Sequence, residues 1–231
     1  MFGPEGGGHP RGASGAFLEI CDRAGIRLRT PERLESMCCG TPWKSKGMTA
    51  GWEHMRGLVV PALTEATEGG RLPVIVDASS CTEGLDIMLR STSGPDGLRV
   101  VDAIGFAAGL LTRLEVSARI PSVALHPTCS STIAGTTPQL VAIAEHIADE
   151  VFIPADAGCC GFAGDRGLLH PELTASATAP EAAGIDAAER TRGERFTEYA
   201  SSNRTCEIGL TRSTGRPYRH ILELLAEATK P

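Results

Sequence analysis

Aromatic side chains are scarce in this sequence of 231 residues, where Phe, Tyr and Trp together make up 4%. Surfaces that bind single-stranded nucleic acid stack the bases on such side chains. An excess of basic residues is lacking as well, because 22 Lys and Arg stand against 28 Asp and Glu and the net charge is −6. The composition therefore predicts no nucleic-acid partner.

Long apolar runs are also absent. The longest, residues 103–111, contains two glycines and is too short to cross a bilayer. The first eight residues lack a basic leader followed by an apolar segment, so they do not resemble a secretion signal. We expect a cytoplasmic protein, with peripheral attachment to the inner face of the cytoplasmic membrane as the alternative.

Motifs of the common hydrolases are missing too. The sequence contains neither a Gly-x-Ser-x-Gly elbow nor a His-Glu-x-x-His pair, and no catalytic residue is predicted. It also lacks the closely spaced cysteine run of ferredoxins, and it offers no room for a flavin domain.

Cysteine, in contrast, is plentiful and forms a repeated pattern. Cys38-Cys39-Gly40 is followed by Cys81, 42 residues further on (39 to 81), and Cys159-Cys160-Gly161 is followed by Cys206, 46 residues further on (160 to 206). Cys129 precedes the second pair. A repeat of this kind predicts one structural module that occurs twice, with thiols that meet in space.

Adjacent cysteines bridge poorly to each other, because a vicinal disulfide strains the peptide between them. In a reducing compartment a thiol cluster more often holds a metal, although disulfides and inert buried thiols remain alternatives. Two adjacent thiols reach one metal ion only with strain, so a multi-iron cluster, [4Fe–4S] in particular, fits more easily than zinc. The predicted metal and cofactor ligands are Cys129, Cys159, Cys160, Cys206, Cys38, Cys39 and Cys81. Cys21, on the apolar face of a predicted helix, is interpreted as a core residue.

The alternation of strands and helices predicts an α/β fold with two pseudo-repeated Rossmann-like halves, short parallel sheets and cysteines at the strand ends. The halves are predicted at 1–97, truncated at its N-terminus, and at 98–231, with a linker at 91–97. Strands are predicted at 26–29, 72–77, 98–101, 122–125 and 150–153. Helices are predicted at 14–24, 49–67, 82–89, 106–115, 138–148, 181–199 and 217–228. Residues 163–180 are predicted to be irregular because of their glycines and prolines.

Three segments carry a family resemblance: 38–47 (CCGTPWKSKG), 126–129 (HPTC) and 158–167 (GCCGFAGDRG). They resemble the cysteine-rich "CCG" domains of heterodisulfide reductases and of FAD-linked oxidases. They are most similar to the carboxyl-terminal region of D-lactate dehydrogenases that contain FAD and iron–sulfur clusters. The resemblance implies a fragment or a split subunit, with a flavin region, a ferredoxin-like region and the first ligand of the first module located upstream. Such family members end each module in Cys-x-x-Cys, where this sequence has Ala78 and Asn203.

This resemblance implies an iron–sulfur electron-transfer region of an oxidoreductase. Electrons would pass from FAD, bound in the upstream region, which oxidises D-lactate or another 2-hydroxy acid, to a quinone or a cytochrome. The alternatives are a zinc-binding structural subunit without redox activity, and a thiol–disulfide module that uses the cysteine pairs directly. The loop charges Lys44, Lys46, Asp165 and Arg166 are interpreted as solvated, and His126 as a structural turn residue with metal ligation as the alternative.

Overall fold

Six strands, each parallel to its neighbours, form two sheets in the computed structural model, which describes residues 12–90 and 97–231. The smaller sheet has the order β1-β2 and the larger one the order β4-β3-β5-β6. The strands are β1 (Val74–Val76), β2 (Val100–Asp102), β3 (Ile120–Leu125), β4 (Ala148–Phe152), β5 (Glu198–Ser201) and β6 (Tyr218–His220). The predicted α/β class with short parallel sheets is confirmed.

Helices connect the strands, as parallel pairing requires. They are α1 (Gly12–Arg23), α2 (Thr41–Ser45), α3 (Thr49–Ala66), α4 (Ser79–Arg90), α5 (Ala103–Ala108), α6 (Cys129–Ile133), α7 (Thr137–Ile147), α8 (Arg166–Leu169), α9 (Pro171–Arg192), α10 (Arg204–Thr214) and α11 (Ile221–Ala228). Two short 3₁₀ turns, Leu34–Ser36 and Leu111–Arg113, complete the regular structure of the described ranges. Within those ranges, no helix combines the length and the apolar character that a bilayer crossing requires.

The larger sheet is covered on both faces. Val123 and Leu125 of β3 belong to a core that also contains buried side chains of α1, α5, α7 and α11. Ala124, which points to the opposite face, packs with Ile185 of α9 and Leu210 of α10. This burial on both faces explains why the three consecutive residues Val123, Ala124 and Leu125 are all apolar, as in other strands of parallel sheets.

The smaller sheet has its own core. Val74 and Val76 of β1 pack against Val59 and Leu63 of α3 and against Met88 of α4. Asp102 ends β2 and begins α5: its Oδ1 accepts a hydrogen bond from the backbone N–H of Ile104 (2.9 Å), and its Oδ2 accepts one from the Thr82 hydroxyl (2.8 Å). The carboxylate therefore ties α4 to the start of α5.

The prediction of irregular structure at 163–180 is wrong. Pro171 stands at the first position of α9, where its missing N–H costs nothing, and the helix continues through Pro180. It ends at Arg192, because Gly193 adopts φ 77°. The predicted helix 181–199 is therefore wrong at its carboxyl end, where β5 lies instead.

Three further predictions need correction. Residues 26–29 form no strand, and the first part of the predicted helix 217–228 is β6. The helix predicted at 106–115 starts at Ala103, because Asp102 caps it there, and ends at Ala108. Most of the predicted linker, 91–96, lies outside the described residues.

The predicted division at 97/98 stays a prediction. Two contacts bear on how the halves are joined. β2, which follows the predicted boundary, pairs with β1, which precedes it. α1 at the start of the chain packs against α11 at its end, and the Arg23 guanidinium donates a hydrogen bond to the Thr229 hydroxyl (3.0 Å).

Candidate functional site

The order of the larger sheet determines where the second set of cysteines lies. β3 and β5 are neighbours in the middle of this sheet. The chain runs from β3 outwards to β4 on one side and from β5 outwards to β6 on the other, so the connections leave the two strands in opposite directions. A crevice opens outside the carboxyl ends of two such strands. Cys129 follows β3, the pair Cys159-Cys160 follows β4, and Cys206 follows β5. Three neighbouring strand ends therefore deliver four thiols, here called the second thiol group.

The buried half of the second thiol group is the pair Cys160 and Cys206. Their sulfur atoms are 3.0 Å apart, close enough for a hydrogen bond but too far for a disulfide. The hydrogen bond from Cys206 lowers the pKa of Cys160 to about 6, and the same bond together with burial raises the pKa of Cys206 well above its usual value. Cys160 is thus the thiolate of the pair, and Cys206 carries the proton.

The exposed half consists of Cys129 and Cys159. Burial and the neighbouring charges of Cys159 and Cys160 raise the pKa of Cys129. The charge of Cys129 in turn acts on Cys206. All four sulfur atoms are therefore close enough to interact electrostatically.

Backbone amides approach this group, which the glycine after the cysteine pair allows. The Gly161 N–H donates to the Cys159 sulfur (3.4 Å), and the Phe162 backbone forms a hydrogen bond with Cys160 that lowers its pKa. Gly161 has φ 67°, and a Cβ at this position would lie 2.8 Å from the Cβ of Ala177. The glycine is needed both for the turn and for close packing against α9.

The first thiol group contains Cys38, Cys39 and Cys81. Cys81 lies in the first turn of α4, directly after β1, and its hydrogen bond lowers the pKa of Cys39 to about 5. The same bond, burial and the charges of its neighbours raise the pKa of Cys81, and burial raises that of Cys38. Gly40 (φ 79°) then turns the chain into α2. The two groups therefore have the same arrangement: a buried thiol with a lowered pKa accepts a hydrogen bond from a second thiol, which lies further along the chain, just after a strand.

Cys21 is remote from this chemistry. It is buried in the main core on α1, and burial raises its pKa to about 11. All eight cysteines, each within the described residues, are free thiols.

The two thiol groups face each other through polar contacts. Ser80, next to Cys81, donates a hydrogen bond from its hydroxyl to Oδ1 of Asn203 (3.1 Å). Nδ2 of Asn203 is 3.8 Å from the Cys206 sulfur. Asn203 therefore links Ser80, the neighbour of Cys81, to Cys206, a role that the sequence did not predict.

A second contact joins the loops that follow the two cysteine pairs. Nζ of Lys46 is 2.5 Å from a carboxylate oxygen of Asp165, and both side chains are half exposed. The bond from Lys46 lowers the pKa of Asp165. These charges pair with each other across the modules, whereas the sequence interpreted them as solvated.

A buried pair of a histidine and a glutamate lies beside the second thiol group. His126 follows β3, and its Nδ1 is 2.9 Å from both carboxylate oxygens of Glu181 on α9. Both side chains are buried. Sequence reasoning missed Glu181, although it lies on the buried face of α9 with Thr174, Thr178, Ile185 and Glu189, a spacing typical of an inward helix face.

The donor set indicates which kind of inorganic group the site suits. Among residues 12–90 and 97–231, no three His, Cys, Asp or Glu side chains converge on one point as a single metal ion would require. The second thiol group instead presents one hydrogen-bonded sulfur pair, Cys160 and Cys206, and two more exposed thiols, with amide donors nearby, which suits a polynuclear iron–sulfur centre whose irons lie apart. The assignment of all seven cysteines as ligands stays a prediction.

Comparison with known proteins agrees with this geometry. The chain is 25% identical over 211 residues to a subunit of the anaerobic glycerol-3-phosphate dehydrogenase of Escherichia coli, in strain K12 and in strain O157:H7 alike. The alignments cover 88% of this chain, which spans about half (51%) of the length of these relatives. Residues 123–208, which include all four cysteines of the second thiol group, match the family model described as "CCG: Cysteine-rich domain". The part of the chain that carries the second thiol group is therefore similar to the cysteine-rich domains of the CCG family.

Proposed function

We propose that this chain is the iron–sulfur electron-transfer region of a flavin-dependent dehydrogenase. The observation that carries the proposal is the meeting of four thiols at three neighbouring strand ends. Cys129, Cys159, Cys160 and Cys206 would hold the centre of the second thiol group. When bound, such a centre accepts and releases single electrons. The name of the relatives, a dehydrogenase subunit, supports the same class.

Cys38, Cys39 and Cys81 are proposed as the ligands of a second centre. The paired loops and the contact between Ser80 and Asn203 keep the two groups adjacent, which supports electron transfer between them. The first group has three thiols, so a fourth ligand would come from outside the described residues or from a partner.

The finer proposal concerns the substrate and the partners. We expect a flavin-containing region or subunit that oxidises D-lactate or another 2-hydroxy acid, a ferredoxin-like region, and a quinone or cytochrome acceptor, at or near the inner face of the cytoplasmic membrane. Support for D-lactate comes from the motifs at 38–47, 126–129 and 158–167. The curated relatives are named for glycerol 3-phosphate, so the assay has to compare both substrates.

Anaerobic reconstitution with iron and sulfide tests the proposal. We expect a brown protein that contains iron and acid-labile sulfide. The Cys160→Ser/Cys206→Ser variant should lack the iron and sulfide that the second thiol group binds. Cys21→Ala is the matched control, because Cys21 is a buried thiol outside both groups. A colourless wild-type protein, or one that takes up stoichiometric zinc and no iron, would contradict the proposal.

One observation favours a second candidate, a thiol–disulfide module. Cys160 and Cys206 are already 3.0 Å apart, and the pKa of Cys160 is lowered to about 6, which favours the reactive thiolate. Oxidation of this thiolate–thiol pair to a disulfide would pass two electrons to an oxidant such as glutathione disulfide and release the one proton that Cys206 carries. Metal-free protein that loses two titratable thiols in an oxidising glutathione buffer, and that binds no iron under anaerobic conditions, would support this candidate instead.

A further inference from the structure

The pair His126 and Glu181 contains an atom that has no partner. Nδ1 of His126 bonds to the Glu181 carboxylate, but Nε2, which is also buried, has no hydrogen-bond partner in the described part of the chain. Buried polar atoms of proteins are nearly always paired, because an unpaired one loses its hydration without compensation. The free Nε2 therefore points to a partner that residues 12–90 and 97–231 do not supply.

The alternation along β3 places the imidazole on the α9 side of the sheet. Ala124 packs with Ile185 of α9, and His126, two residues later, contacts the same helix through Glu181. Glu181 precedes Ile185 by one helical turn. The ring is thus held between the end of β3 and the amino-terminal half of α9.

That half of α9 is also the part that packs on the second cysteine pair. Gly161 lies against Ala177, which is one turn before Glu181. Consistent with this proximity, the positive charge of His126 lowers the pKa of Cys160. The imidazole therefore lies beside the second thiol group, with Glu181 behind it.

We propose that Nε2 of His126 donates a hydrogen bond to the inorganic centre of the second thiol group and that Glu181 fixes the ring for this contact. The inference rests on the proposed function, because it requires that centre. Nδ1 is occupied by the Glu181 carboxylate, so Nε2 is the ring nitrogen that remains for a further hydrogen bond; where the pair shares one proton between Nδ1 and the carboxylate, Nε2 carries the other ring hydrogen and can donate it. His126 contacts the centre without being one of its ligands, and Glu181 is the positioning residue.

Such a donor stabilises the more negative, reduced state of a centre and raises its reduction potential. In the anaerobically reconstituted full chain, His126→Gln should lower the midpoint potential of the second centre by at least about 59 mV, a tenfold change in the reduction equilibrium. Glu181→Gln should shift it in the same direction. His170→Gln is the matched control, because His170 also pairs with a glutamate, Glu172, but both are exposed.

A spectroscopic measurement on the wild-type protein is independent of any effect of the substitutions on folding. With ¹⁵N-labelled histidine, pulsed electron paramagnetic resonance of the paramagnetic centre should detect coupling to one histidine nitrogen. The signal should vanish in His126→Gln and persist in His170→Gln.

The outcomes separate the two proposals. A wild-type protein that binds no iron would refute the proposed function and this inference together. An iron-loaded wild type without histidine coupling, or a loaded His126→Gln variant with the wild-type potential, would refute only the inference.

Discussion

Gly161 shows, at the scale of one residue, how the second thiol group depends on a missing side chain. Its positive φ turns the chain so that its own amide points at the Cys159 sulfur. Its bare Cα lets the loop rest on α9 between Leu173 and Ala177. The amide that stabilises negative sulfur and the close contact with α9 therefore depend on the same residue.

Replacement of this glycine should lower the free energy of unfolding by more than the strain of its backbone conformation alone accounts for. Gly161→Ala adds a Cβ that would lie 2.8 Å from the Ala177 Cβ and 3.0 Å from the Leu173 carbonyl oxygen. We expect a loss of about 2–4 kcal/mol in the free energy of unfolding, from the left-handed φ and from overpacking. Urea denaturation of the metal-free protein measures it.

Gly215→Ala is the control for the conformational part. Gly215 has φ 66°, nearly the same as Gly161, and a Cβ there would meet no atom within 4 Å. We expect a loss of only about 1 kcal/mol. Equal losses for the two variants would show that contact with α9 contributes nothing.

At the scale of single elements, a buried histidine begins the last helix. His220 ends β6 and caps α11, since its Nδ1 accepts a hydrogen bond from the backbone N–H of Leu222 (3.2 Å). Burial lowers the pKa of His220 to about 4, so the ring is neutral in the folded protein at neutral pH. The same uncharged nitrogen is what allows the cap.

This lowered pKa predicts acid sensitivity. At a pH between about 6.5, the ordinary histidine pKa, and about 4, the pKa in the folded protein, this histidine binds a proton in the unfolded chain but not in the folded one. The free energy of unfolding should fall by about 3 kcal/mol as the pH drops through this window. Above it the contribution is fully present.

His220→Asn, which keeps a cap acceptor and removes the titratable ring, should flatten the acid limb of the stability curve. Thermal unfolding of the metal-free protein between pH 4 and pH 7 measures this slope. His170→Asn, at an exposed position, should leave the slope as in the wild type. An unchanged slope in His220→Asn would show that other groups cause the acid dependence.

At the scale of the whole molecule, the two thiol groups are joined by one exposed and one partly buried contact. Lys46 and Asp165 form a half-exposed ion pair, and such pairs contribute little because water screens them. Ser80 and Asn203 form a hydrogen bond in which Asn203 is buried. The buried contact should carry more of the stability of this junction.

The comparison of two variants tests this ranking. Lys46→Ala should change the free energy of unfolding by less than about 1 kcal/mol, and the change should shrink further in high salt. Asn203→Ala should cost about 1–3 kcal/mol, because the Ser80 hydroxyl loses its acceptor and the Cys206 sulfur loses a donor. Urea titrations at low and high salt measure both, and a larger loss for Lys46→Ala would reverse the ranking.

The elements that carry the cysteines were predictable where the local pattern was strong. The β-branched run ending at Val76 and the apolar run ending at Leu125 identified two strand ends and the cysteines beyond them. β5 was not predictable, since Glu198–Ser201 follows a long helix without a run of β-branched residues. It is a strand because it pairs with β3: Glu198 lies opposite Val123, which precedes it by 75 residues in the chain.

The contacts within the site were beyond the reach of local patterns for the same reason. The 3.0 Å approach of Cys160 and Cys206 depends on the order of strands in the sheet, and the bond between His126 and Glu181 joins residues 55 positions apart. The repeat of cysteines indicated that thiols meet, but it could not indicate which thiol donates to which. Nor could it assign Asn203 to the junction between the two groups.

The strand order also governs when the site can exist during synthesis. β3 cannot complete its pairing until β5 has been synthesised. Cys206 follows β5 in the chain. A ribosome that has released residues up to Cys160 therefore presents three of the four cysteines of the second thiol group and an open sheet edge. Under the proposed function, a cluster at this position can be completed only after Cys206 has left the ribosome, and until then the nascent chain depends on protection from oxidation and from pairing with other strands.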